Sequence, residues 1–191
     1  EEAGTSGPEG RYEWLLDPID GTRAFVTGSQ LWGILVGLLD DGVPVAGWVN
    51  QPYIGETFVG FDGFAELRRG GTTRRLRTKP AASLDEAVLY STTPVMFDDP
   101  ERDRVKRLNE RVRLVRYGGD CYSYCQLAMG HVDLVVESSL QPYDIAAIIP
   151  LIESAGGVVT AVDGGSPAAG GFVVASSGRA IHDAALAVLN E

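Results

Sequence analysis

Two aspartates three apart, Asp17 and Asp20, sit in the stretch WLLDPIDGT (residues 14–22), with Pro18 between them and Gly21 and Thr22 after them. A turn accounts for the proline, the aspartates and the glycine. It does not account for two carboxylates placed together with a hydroxyl. Glu1 and Glu2 lie 16 and 15 residues before Asp17, and Asp144 lies far downstream, at the first turn of an expected apolar helix. The helix dipole favours a negative charge there, but an acid beside Ala146, Ala147 and Ile148 is costly to leave unpaired.

Carboxylates in this number point to a hard divalent cation, Mg²⁺ foremost. Gly21 and Thr22 then supply close backbone approach, N–H donors and a hydroxyl, all suited to a phosphate oxygen beside the metal. Two metals on shared carboxylates would bind a phosphoryl group, activate water and neutralise a leaving alkoxide. A purely structural alternative stands beside this one. Asp17 and Asp20 would be turn residues or N-caps and Asp144 a helix cap. Other chemistries find less support. His131 and His182 have no organised nucleophile pattern and read as core or surface residues. Gly70-Gly71 and Gly164-Gly165 match neither a dinucleotide nor a P-loop fingerprint.

These residues need a scaffold, and 191 residues suffice for one domain with a substantial core. The expected organisation is a single domain over 1–191, with a β-rich half carrying the acidic cluster (1–98) and an α/β half (99–191). A net charge of -10 argues against a nucleic-acid partner. It is compatible with cationic ligands. Cys121 and Cys125, four apart with no second pair, read as reduced core thiols. The longest apolar runs, such as 31–39, are too short to span a bilayer. No secretory signal pattern is visible, so a cytoplasmic protein is expected. The chain opens on Glu-Glu rather than Met, and an N-terminally truncated domain is expected.

Residues 12–16 read as a short buried strand stopped by Asp-Pro. Apolar runs at 31–39 and 43–49 flank Asp40-Asp41-Gly42, and runs at 56–61 and 64–67 flank Asp62-Gly63, so four strands in an antiparallel meander are predicted. The basic run 68–79 reads as a solvated loop leading into the next strand, with the steering of an anion as its functional alternative. A strand at 87–91 follows, and then the pattern alternates. Helices are expected at 100–112, 120–129, 142–155 and 181–189, and strands at 113–117, 132–137, 158–162 and 172–176. Pro142 and Gly156-Gly157 suit the ends of the third helix, while Pro150 should kink it or shift its ends. The predicted class is α/β, an α+β layered fold.

The chain resembles the inositol monophosphatase family of Mg²⁺-dependent, Li⁺-sensitive phosphatases. The resemblance rests on Glu1-Glu2, on DPIDGT at 17–22, and on YDIAA at 143–147 followed by ESAGG at 153–157. It implies alternating helix and sheet layers and two or three Mg²⁺ ions, with Mn²⁺ a substitute, inhibition by Li⁺ and a homodimer. It implies a small phosphomonoester substrate, no membrane or nucleic-acid partner, and hydrolysis by direct attack of a metal-activated water.

By resemblance, Glu1 and Asp17 are shared metal ligands, Ile19 a main-chain carbonyl ligand, and Asp20 and Asp144 ligands of the second metal. Thr22 is similar to the hydroxyl that orients the attacking water, so Glu1, Asp17 and Thr22 form the catalytic set. The amides of Asp20, Gly21 and Thr22 resemble the phosphate cradle, and Glu137 the contact to the organic part of the substrate. Within the family, residues 20–52 and 117–144 look most like the histidinol-phosphate phosphatase branch, of histidine biosynthesis. Inositol phosphatases usually place Trp before the downstream Asp, where this chain has Tyr143. That branch's substrate carries an ammonium and an imidazole, for which Glu137 and Asp120 are suitable partners. Arg116 touches phosphate, caps a strand or forms a buried structural pair with Asp120. Alternatives are an inositol or sugar phosphatase and a non-catalytic metal-binding fragment. The family also has two helices before its Gly-Glu-Glu, with an acidic residue that pairs with the threonine, and these residues have no counterpart in the sequence given.

Overall fold

The computed structural model describes residues 10–191. The first half builds a six-stranded antiparallel sheet in chain order: β1 (Tyr12–Asp20), β2 (Gly33–Asp40), β3 (Val43–Gln51), β4 (Glu56–Phe61), β5 (Phe64–Arg69) and β6 (Thr72–Arg75). Both Asp-Gly pairs make the tight turns expected of them. Asp41 and Gly42 have φ 49° and 79°, and Asp62 and Gly63 have φ 44° and 69°, the left-handed pair that a two-residue hairpin needs. A short helix, α1 (Thr22–Val26), connects β1 to β2.

The second half builds a five-stranded mixed sheet from β7 (Val88–Ser91), β8 (Leu114–Tyr117), β9 (Leu134–Leu140), β10 (Val158–Ala161) and β11 (Gly171–Ser176), in the order β10-β11-β9-β7-β8. β7 pairs in parallel with β8 and β9, and the other pairs are antiparallel. Between the two sheets lie α3 (Cys121–Ala128), α4 (Pro142–Ile145) and α5 (Ile148–Ser154). α2 (Asp99–Asn109) and α6 (Arg179–Leu189) pack on each other and cover the far face of the second sheet.

The alternation of β9 decides which core each residue joins. Val135 meets Leu35, Phe58, Leu127 and Ile148 in the middle layer. Leu134 and Val136 face Leu108, Ile181 and Leu189. Each such fully buried aliphatic side chain is worth about 1.5–3 kcal/mol. The middle layer approaches the first sheet closely through a stripe of glycines paired across three strands, Gly37, Gly47 and Gly60. A Cβ on Gly47 would stand 2.0 Å from the Ala147 carbonyl oxygen, and one on Gly60 would stand 2.3 Å from the Leu151 Cα. These bare strands seat the turn between α4 and α5, and with it Asp144. No helix among the described residues is long and apolar enough to cross a membrane.

Four local expectations are corrected. β1 does not stop at Asp-Pro: it runs to Asp20 through a bulge between Asp17 and Asp20. A sheet-edge strand tolerates Pro18, which has no N–H to donate, at such a bulge. Nor is β1 buried on both faces, since Tyr12, Trp14 and Leu16 are exposed on one of them. The basic run is not all loop. Gly70 and Gly71, at φ 54° and 78°, turn the chain so that β6 pairs back on β5. The helix expected at 142–155 is broken at Ala146-Ala147, because Pro150 has no N–H for the Ala146 carbonyl.

Candidate metal and substrate site

The end of β1 presents its acids to one side of the sheet. The bulge turns Asp17 inward, where its Oδ1 accepts the Ile19 N–H at 2.9 Å. Gly21, at φ 79°, turns the chain into α1. Thr22, the first helical residue, donates its hydroxyl to the Ile19 carbonyl at 3.2 Å. Asp144 arrives from the middle layer on the first turn of α4, its Oδ2 accepting the Gln141 N–H at 2.7 Å. The cap predicted for this residue is therefore real, and the same carboxylate also belongs to the cluster. Carboxylate oxygens of Asp17, Asp20 and Asp144 lie within 4.8 Å of one another.

Burial pushes Asp20 up to about 7. Hydrogen bonds from Cys121 oppose the rise, and the charges of Asp17 and Asp144 add to it. Three acids this close, one of them raised by burial, carry an electrostatic cost that a divalent cation would remove. The donor set is all oxygen, which fits Mg²⁺ and not a soft transition metal.

A cavity of about 110 Å³ opens beside the cluster, and Asp20, Asp144, Asp120, Glu137, Tyr124 and Thr92 are in its wall. Glu137 projects from the middle of β9 and is buried. It accepts the Thr92 N–H at 2.9 Å and the Tyr124 hydroxyl at 3.0 Å, and takes the Thr92 hydroxyl as well. Burial raises it to about 7 despite those bonds. Asp120 stands where α3 begins, with φ 45° and ψ -143°, a region that side chains other than glycine rarely enter. Burial raises its carboxyl as well, with the Arg23 charge opposing. Gly21 makes room for it, since a Cβ there would stand 3.2 Å from both Cβ and Cγ of Asp120.

The fold and the motifs now meet at one place in the chain. The model of the inositol monophosphatase family matches residues 1–191. The chain belongs to that family. Histidinol-phosphatase of Mycobacterium tuberculosis is 37% identical over 194 residues, covering all of this chain and 74% of that protein. The chloroplastic bifunctional phosphatase IMPL2 of Arabidopsis thaliana is 42% identical over 149 residues, covering 78% of this chain and 42% of that protein. The chain thus spans less than half the length of one of these relatives and about three quarters of the other. An inositol monophosphatase from Zymomonas mobilis superposes with a TM-score of 0.93 at 36% identity, over 99% of this chain and 74% of that one. The layered α+β arrangement is the fold of that family.

Set in the family's fold, the predicted site residues separate into groups. Asp17, Asp20 and Asp144 converge. Ile19, Gly21 and Thr22 lie in the turn beside them, and Asp120 and Glu137 share their cavity. Glu1 lies outside the described residues. Arg116 does not join this group. It is exposed on β8, its guanidinium 6.0 Å from the centre of the Tyr90 ring, and among the described residues it makes no ion pair with Asp120. β8 is the edge strand of the second sheet, with β7 between it and β9, so Arg116 stands two strands away from Glu137.

Thr92 and Tyr124, which hold Glu137, were not singled out in the sequence. Tyr124 sits among the apolar residues of α3 and Thr92 in a plain Ser-Thr-Thr run, so neither carries a signal. His182 is buried between the Ser176 and Thr160 hydroxyls, a structural role. Both cysteines are free and buried.

Proposed function

We propose that this chain is a Mg²⁺-dependent phosphoric monoester hydrolase whose substrate is L-histidinol phosphate. The observation that carries the substrate is the cavity wall. Asp120 and Glu137 stand there beyond the metal cluster, and among the described residues no lysine, arginine or histidine lines the cavity. An inositol or a neutral sugar would use these acids only as acceptors for its hydroxyls. A molecule with an ammonium and an imidazole has a partner for each. The relative named histidinol-phosphatase, matched over the whole of this chain, supports the same reading.

The donor set fits a hard cation, with Asp17, Asp20 and Asp144 as its side-chain ligands and the Ile19 carbonyl beside them. Mg²⁺ bound there supplies Lewis-acid polarisation of the phosphoryl oxygens and lowers the pKa of water. The chain's own residues do the rest. The main-chain N–H groups at 20–22 face the phosphate, and the Thr22 hydroxyl orients the attacking water. Glu137, fixed by Thr92 and Tyr124, and Asp120 hold the cationic end so that the phosphate lies over the cluster. Water adds to phosphorus, the ester P–O bond breaks, and the alcohol leaves with a proton, giving inorganic phosphate.

The test is phosphate release from histidinol phosphate and from inositol 1-phosphate, each with Mg²⁺ and with EDTA. Metal-dependent release that prefers histidinol phosphate is expected. Preference for the inositol ester would overturn the substrate, and release that persists in EDTA would overturn the metal. No release from either ester would favour a metal-binding domain without turnover.

A further inference from the structure

We propose that a second cavity, on the other side of α3, binds a small phosphate-bearing anion. This cavity, of about 420 Å³, is the larger of the two described here and lies within the size range of small-ligand sites. The hairpin of β5 and β6 forms one wall. Tyr122, Gln126 and Met129, one face of α3 at i, i+4 and i+7, form the other, and His131 closes it.

Strand parity sorts the arginines of the basic run. On the outer face Arg68 pairs with Glu66, and Arg75 stacks over the Phe64 ring with its guanidinium carbon 4.2 Å from the centre. On the inner face Arg69 donates to Glu56 at 3.3 Å, and Tyr122 donates to the same carboxylate at 2.8 Å. Arg74 lines the cavity and has no hydrogen bond or ion pair among the described residues. The Glu56 charge is therefore answered, while the Arg74 charge is not. The cavity has a positive wall in a protein of net charge -10.

The registers Leu67↔Arg74 and Arg69↔Thr72 put the two guanidiniums diagonally on neighbouring strands and on the same face. Two forks so placed suit the several oxygens of a phosphate better than a single carboxylate. The Thr72 hydroxyl and Gln126 amide line the remaining wall and suit a hydroxylated body. The other cavity, with four acids and no base in its wall, is the chemical opposite. Cys121 and Tyr124 of α3 face that one, while Tyr122 and Gln126 face this one.

Because the acidic cavity repels anions when no cation is present, calorimetric titration in EDTA with inorganic phosphate and with glucose 6-phosphate reads this cavity alone. Saturable binding is expected. Arg74→Ala should weaken it about tenfold or more, the size of a lost charge-assisted bond, and His131→Ala should weaken it less. Arg75→Ala removes the same charge from the outer face and should leave binding unchanged. The proposal fails if neither ligand saturates, if Arg74→Ala has no effect, or if Arg75→Ala costs as much as Arg74→Ala. The last result would mean diffuse attraction by the basic hairpin.

Discussion

The carboxylate of Asp20 accepts the main-chain N–H of Cys121 at 2.9 Å, tying together segments 101 residues apart. One bond thus aims the acid at the end of β1 and anchors the start of α3. An asparagine keeps a carbonyl for that N–H but removes a charge from the cluster with Asp17 and Asp144. Asp20→Asn is expected to lower Mg²⁺-dependent phosphate release by about 100-fold or more, on the scale of disturbed metal sites. Circular dichroism should stay unchanged. Near-normal turnover in this variant would remove Asp20 from the metal site.

Glu137 acts on the other end of the substrate. It is held by Thr92 and Tyr124 and faces the same cavity, so Glu137→Gln keeps size and removes charge. KM for histidinol phosphate should rise about tenfold, as when a buried charge loses its partner. KM for a small phosphoester without a cationic group should move little. Steady-state kinetics on the two substrates decide the point, and equal rises would mean that Glu137 is structural.

Acidity provides an independent check on the cluster. Burial raises both Asp20 and Glu137 to about 7, whereas in an unfolded chain such groups ionise near about 4. Between those values the folded chain binds more protons than the unfolded one, so stability falls as pH rises from about 4 to about 7. In EDTA the Tm should therefore be higher at pH 5 than at pH 7.5. About 1.4 kcal/mol accompanies each tenfold change in protonation preference, and about 1 kcal/mol moves Tm by about 2–4 °C at this chain length. The expected difference is several degrees. Mg²⁺ should restore the loss at pH 7.5 and do little at pH 5. A Tm that is indifferent to Mg²⁺ at pH 7.5 would argue that the cluster holds no cation.

Local chemistry was legible in the sequence, and long-range contact was not. Asp41-Gly42 and Asp62-Gly63 announce their hairpins because each turn needs only its own residues. Asp17, Asp20 and Asp144 could be placed together through the family's motifs, since spacing alone left a turn-and-cap reading equally open. Gly37, Gly47 and Gly60 look like weak strand residues until Ala146, Ala147 and Leu151 arrive against them from a hundred residues away. Trp14 and Leu16 read as buried because an apolar residue does not reveal which face of an edge strand it takes. The sequence leaves Arg116 open between a phosphate contact and a structural role, and nothing local in it shows that β8 is the edge strand, two strands from Glu137. Thr92 and Tyr124 act by holding Glu137 across three elements, which no local pattern can show.

The backbone of Asp120 supports the last prediction. Its φ of 45° and ψ of -143° cost about 1–3 kcal/mol for a residue with a Cβ. Glycine would adopt them freely, although it gives up unfolded-state restriction worth under about 1 kcal/mol. If Asp120 is kept for its charge, stability and recognition should move in opposite directions. Asp120→Gly is expected to melt at least as high as the parent chain and to raise KM for histidinol phosphate. Asp120→Ala removes the same charge but keeps the strained Cβ, so it should raise KM equally and melt below the glycine variant. Thermal melts and kinetics on the pair separate the two effects. A glycine variant that melts lower than the alanine variant would show that the backbone here is not strained. Unchanged KM in both would show that Asp120 does not face the substrate.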